Sequence, residues 1–129
     1  MKKVVKRVLP LTLAVLLFGA PVLAYRSGSF QAGGKPVNCT LSPNFNTNSA
    51  NARTYWANGR PKGYRLNTRI YLRYSKNMAL EKKNSVTHIS DAKAYAKGNR
   101  QVQAFKSIHS YINPNQSTQR EMVHLFEGK

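Results

Sequence analysis

The clearest pattern along the chain is the alternation of residues 65–75, RLNTRIYLRYS. Leu66, Thr68, Ile70, Leu72 and Tyr74 fall on one side, and Arg65, Asn67, Arg69, Tyr71, Arg73 and Ser75 on the other. A period of two with Thr, Ile and Tyr enrichment predicts a half-buried strand. Upstream, ARTYWA (52–57) is a β-prone run ending in Asn58-Gly59, a hairpin signal, although Pro61 and Gly63 allow a longer connection. Val37 to Leu41 reads as a short strand before an Asn, Thr and Ser cluster that runs to Asn51. Residues 76–85 read as a charged connection.

Two further runs, 86–97 and 101–112, are separated by Gly98-Asn99. As strands, Ala92, Ala94 and Ala96 line one face, followed across the turn by Val102, Ala104 and Ile108. Lys106 is the one defect on that apolar side. The helical alternative rests on Ser90 as a cap and on alanine propensity; the Gly-Asn break and the VTHI lead-in favour a hairpin. After Asn113-Pro114-Asn115, the spacing of Thr118 and Glu121 matches a capping box. Met122, Val123 and Phe126 then predict one or two turns of docked helix.

The beginning of the chain has a different character. A basic start, MKKVVKR, precedes the apolar stretch VLPLTLAVLLFGAPV, and Val22-Leu23-Ala24 places small residues at a cut before Tyr25. This is the layout of a secretory signal peptide over residues 1–24; an uncleaved anchor is the alternative. Residues 25–36, rich in Ser, Gly and Gln, read as a flexible lead-in, and 37–129 as one small basic domain. The expectation is therefore a mainly β, single antiparallel domain, a sandwich or a meander, with a short C-terminal helix, after a cleaved signal peptide. Its destination is outside the cell or on the cell surface.

Charge sharpens this picture. The chain carries 21 Lys and Arg against 4 Asp and Glu. Removal of the leader takes Lys2, Lys3, Lys6 and Arg7, so 21 − 4 = 17 basic residues remain, and 17 − 4 gives +13 with histidine neutral. A small domain so charged attracts polyanions. For an exported protein the expected partners are anionic lipid or a cell-wall polymer, with nucleic acid also possible. Arg65, Arg69 and Arg73 recur on the polar side of one strand, about 13 Å apart. Tyr71 lies among them, Arg60 and Lys62 just upstream, and Lys76 just downstream. Guanidiniums suit phosphate and carboxylate because each makes two parallel hydrogen bonds, and the ring adds a stacking surface. These seven residues are the candidate polyanion-binding site. Lys82-Lys83 form a smaller basic group.

Other chemistry is sparse. Cys39 is the only cysteine, which rules out an intramolecular disulfide and leaves burial or pairing with another chain. No metal-ligating spacing or phosphate loop occurs, and no cofactor is expected. His88, His109 and His124 offer acid–base partners for Glu81, Asp91 or Glu121, with His88 and His109 facing each other across the expected hairpin. The functional expectation is a secreted cationic protein that binds an anionic envelope surface, with antimicrobial, bacteriocin-like or toxin-like action as one outcome. The alternatives are a small secreted nuclease and a wall-associated accessory protein.

Overall fold

A computed structural model describes residues 25–129, and the expected signal peptide lies outside them. Eight strands follow in order: β1 (Arg26–Ala32), β2 (Lys35–Asn44), β3 (Ser49–Trp56), β4 (Arg65–Arg73), β5 (Glu81–His88), β6 (Asp91–Lys97), β7 (Ala104–Ile112) and β8 (Gln119–Gly128). They form two four-stranded antiparallel sheets, β1-β2-β3-β6 and β5-β4-β7-β8. The fold is thus a sandwich rather than a meander, because the chain changes sheet after β3, after β5 and after β6.

Several expectations are corrected by this architecture. The segment read as a flexible lead-in supplies β1, whose Phe30 and Ala32 are buried against the core. Gly33 and Gly34 both have positive φ (57° and 79°), as a two-residue hairpin turn with the twist of its strands requires. A side chain on Gly33 would also collide with Pro61 and Tyr64. The expected C-terminal helix is instead β8: Gln119 to Gly128 pairs along the whole of β7, and the described residues contain no helix. A short helix has little cohesion of its own, whereas the open edge of β7 offers a full ladder of hydrogen bonds.

The pair of strands around Gly98-Asn99 does form, but as β6 and β7 in different sheets, not as a hairpin. Nor is 86–97 continuous. At its corner His88 Nδ1 accepts from the backbone N–H groups of Ser90 and Asp91 (3.0 and 3.2 Å), which turns the chain from one sheet to the other. The phase of β7 is the reverse of the expected one. Phe105, Ser107 and His109 point into the core, and Lys106 points out with Ala104 and Ile108. The Asn-rich loop after β2 is a fixed turn. Asn44 Oδ1 accepts from Asn46 and Thr47, and Asn48 (φ 55°) holds Gly98 and Val102 through its backbone and side-chain oxygens.

The core has two apolar halves. Leu41, Ile70, Leu72, Val102 and Phe105 anchor one, packed on Ala50, Ala52, Ala94 and Ala96. Phe30, Val37, Cys39 and Leu66 anchor the other, which Trp56, Tyr64 and Tyr111 close off. A chain of buried polar groups runs between them. Ser107 Oγ lies 2.7 Å from His109 Nε2, His109 Nδ1 2.7 Å from Thr54 Oγ1, and Thr54 Oγ1 2.6 Å from Thr68 Oγ1. Thr68 donates to the Ala92 carbonyl at 2.7 Å. That last bond sets the direction of the rest. Thr54 donates to Thr68, His109 donates from Nδ1 to Thr54, and Ser107 donates to Nε2, so the ring is neutral.

Burial, aided by the charge of His124, pushes the imidazole of His109 down from 6.5 to about 4. The unfolded chain therefore binds a proton that the folded chain refuses. Stability is full above pH 6.5 and falls as pH drops toward 4, by roughly 3 kcal/mol across the window. Urea denaturation at pH 7.5, 5.5 and 4.5 should follow this slope. In His109→Gln the slope should disappear along with part of the stability; a retained slope would place its origin elsewhere.

Candidate polyanion-binding face

Strand β4 is central in its sheet, with β5 on one side and β7 on the other, so its outward side chains lie among theirs. The arginine row accordingly does not stand free. Arg69 Nη2 donates to Glu121 Oε2 at 2.6 Å and sits largely buried beside Ser110. Its hydrogen bond, supported by His124, holds the Glu121 carboxyl below the usual carboxylate range. Arg73 Nε donates to Gln103 Oε1 at 2.7 Å, and its guanidinium lies 5.4 Å from the centre of the Phe126 ring. Asn67, between Arg65 and Arg69, is fully buried and donates to Ser85, Val86 and Thr87 of β5.

Five of the seven predicted residues divide between the two ends of β4, with Arg69 and Tyr71 inside the strand. Arg65 is exposed at the start of the strand and is preceded by Arg60 and Lys62 in the 57–64 connection. Arg73 ends the strand and Lys76 lies in the turn that follows. Eight residue-to-residue steps of strand, about 27 Å, separate Arg65 from Arg73. No single patch holds all seven.

What the register assembles is a row across the sheet rather than along one strand. Lys82 of β5 faces Tyr71 of β4, Tyr71 faces Lys106 of β7, and Lys106 faces Phe126 of β8. Directly opposed residues in antiparallel strands share a face, so these four form a line about 14 Å long at the backbone. Lys106 Nζ lies 5.9 Å from the centre of the Tyr71 ring, and Arg73 stands over Phe126 at the end of the row. Phe126 is 45% exposed, high for an aromatic on a sheet face. Two lysines and an arginine are thus interleaved with two rings, and Lys76 lies in the adjoining β4–β5 turn. Lys106 and Phe126 were missed from the sequence, and Lys82 was set apart as a minor group. The available signal was Lys106 itself, the single residue out of phase in an otherwise acceptable strand.

All four carboxylates of the chain are engaged. Glu81 meets Lys83, Asp91 meets Arg53 and Lys93, Glu121 meets Arg69, and Glu127 meets Arg26. Lys82, Lys106, Arg73 and Lys76 form no ion pair among the described residues, which leaves their charge available to an external anion.

The expected pairing of His88 with His109 does not occur. They lie on β5 and β7, on opposite sides of β4, with His109 enclosed in the core and His88 capping its corner. His124 lies 3.2 Å from Glu121, which Arg69 also contacts. The described residues contain no cluster of side chains suited to a metal ion. No known protein family matches the chain, and no curated protein or solved structure matches it.

Cys39 points into the core with no exposed surface, and burial pushes its thiol up to about 12. A covalent link to another chain through this residue would require unfolding. An aromatic disulfide reagent at pH 8 should label the native protein on the order of a thousandfold more slowly than the urea-unfolded chain. Prompt labelling, or a dimer on a non-reducing gel, would overturn this placement.

Proposed function

We propose that the exported chain binds an anionic envelope surface, through the phosphates of lipid headgroups or of a wall polymer. The contact is the face bearing Lys82, Tyr71, Lys106, Arg73 and Phe126, with Lys76 at its edge. The observation that carries this reading is the cross-strand row, which places unpaired cations beside the half-buried Tyr71 and the exposed Phe126. Cations meet phosphate, and the rings enter the interfacial zone of a membrane or lie against a polymer backbone. Either an antimicrobial protein acting on a competitor's envelope or an accessory protein resident on its own wall uses such a face in the same way. Arg65, Arg60 and Lys62, at the far end of β4, add long-range attraction rather than contact.

The test is binding of residues 25–129, which contain all eight strands, to phosphatidylglycerol vesicles, phosphatidylcholine vesicles and polyphosphate. Lys82→Gln with Lys106→Gln should weaken vesicle binding about ten- to thirtyfold at low salt. Arg60→Gln with Lys62→Gln should cost no more than about threefold on the same scale. Equal losses in the two double variants would mean that charge acts without a site.

A nuclease reading has one specific observation in its favour, the contact of His124 with Glu121 beside Arg69. It requires release of nucleotides from RNA that is abolished in His124→Ala and Glu121→Gln. RNA left intact by the unmodified protein removes it.

A further inference from the structure

The opposite outer face of the sandwich, on the β1-β2-β3-β6 sheet, has a different chemistry. The residues of β1 and β2 that point away from the core are Ser27, Ser29, Gln31, Asn38, Thr40 and Ser42, and none is charged. This uncharged area covers β1 and β2, and the charged side chains of the same face, Arg53, Asp91, Lys93 and Lys97, lie on β3 and β6. Two shallow depressions adjoin here. The first, about 390 Å³, is lined by Ser27, Ser29, Asn38 and Thr40, with Tyr25 and Tyr55. The second, about 340 Å³, shares Thr40, Tyr25 and Tyr55 and adds Ser42, Asn51, Arg53 and Lys93.

The lining specifies a ligand chemistry. Hydroxyls and amides that both donate and accept, set beside tyrosine rings on a flat sheet, match sugar rings, which present hydroxyls at their edges and C–H groups on their faces. The first depression offers no ionic partner. At the second, Arg53 is held by both oxygens of Asp91 (2.8–3.1 Å) and stacks 3.8 Å from the centre of the Tyr55 ring. Lys93 reaches Asp91 only at 3.8 Å and is 70% exposed, so the group retains one net positive charge. The two sites therefore differ in charge and share a wall.

We infer that this face binds an acidic polysaccharide in which uncharged and carboxylate-bearing sugars alternate. An uncharged unit lies in the first depression against Asn38 and Thr40. The adjoining carboxylate lies over the second, next to Lys93. The face is separate from the lysine and aromatic row on the other sheet, and neither reading depends on the other.

The probe is a hyaluronan oligosaccharide, which alternates a carboxylated sugar with an N-acetylated one. Chitohexaose supplies the uncharged sugar alone, and polyphosphate supplies charge without sugar. In amide shift mapping at about 0.3 M salt, where exposed charges are screened, hyaluronan should perturb residues 38–42 and 51–55. Chitohexaose should perturb the 38–40 region more weakly, and polyphosphate at low salt should perturb residues 71, 82 and 106 instead. Asn38→Ala and Tyr55→Ala should each weaken hyaluronan binding about three- to tenfold, the loss of one hydrogen-bonding or stacking partner. Both should leave vesicle binding unchanged, which also shows that they remain folded. Lys93→Gln should lower affinity for hyaluronan but not for chitohexaose. Shifts from hyaluronan at residues 71, 82 and 106, no binding at 0.3 M salt, or unaltered affinity in Asn38→Ala and Tyr55→Ala would overturn the inference. A failure confined to vesicle binding would bear only on the other face.

Discussion

The hydrogen-bonded chain from Ser107 through His109, Thr54 and Thr68 to the Ala92 carbonyl is the constraint on which the rest of the structure depends. It joins β7 and β4 of one sheet to β3 and β6 of the other, across a core otherwise held by non-directional apolar contact. Apolar packing alone tolerates sliding of one sheet over the other, whereas buried polar groups left unpaired are costly. These bonds therefore fix the offset between the sheets, and with it the line-up of side chains on both outer faces. The alanines of β6 complement them, since small side chains let that strand lie close over β4 and bring the Ala92 carbonyl to Thr68.

Charge is distributed with equal economy. The four acids neutralise cations at the edges and on both outer faces: Arg26 with Glu127, Arg53 with Asp91, Arg69 with Glu121 and Lys83 with Glu81. The cations without an ion pair are spread more widely: Lys76, Lys82, Lys106 and Arg73 lie around the β4–β5 turn and its adjoining row, and Arg60, Lys62 and Arg65 at the other end of β4. The outer faces thus differ, one carrying the lysine and aromatic row, the other hydroxyls and amides on β1 and β2 beside Arg53, Lys93 and Lys97 on β3 and β6. A sandwich suits such a division, because the apolar core is shared while the two outer surfaces vary independently.

How much of this could be read in the chain follows from what each residue feels. Strand β4 was legible because it is central: Leu66, Ile70 and Leu72 meet the core and the other side meets side chains of its neighbours, so alternation survives. The inner face of β6 was legible for the same reason. For β7 the phase was misread because Ile108 and Ala104, though on the outer side, are covered by the side chains around them, while Ser107 and His109 are inside. Polar groups that satisfy one another in a core look from sequence like surface. At the C-terminal end, a capping-box spacing and a three-residue stripe carried no information about the waiting edge of β7. The cross-strand row of Lys82, Tyr71, Lys106 and Phe126 lay beyond reach for a simpler reason. Its four members come from four strands, and only the cross-strand register brings them together.

The order in which the strands occur along the chain has a consequence for any process that delivers the polypeptide from one end. The first three strands can pair as they appear, but their sheet lacks its edge until β6 arrives. The central strand β4 has only β5 beside it until β7 arrives. His109, the hub of the interior, lies near the end of the described region. A chain emerging from a ribosome or threading through a pore is therefore denied its closed form until about residue 112 has passed. It stays pliable for most of the journey and locks late, when the long-range pairings that slow the folding of such topologies can all be made together.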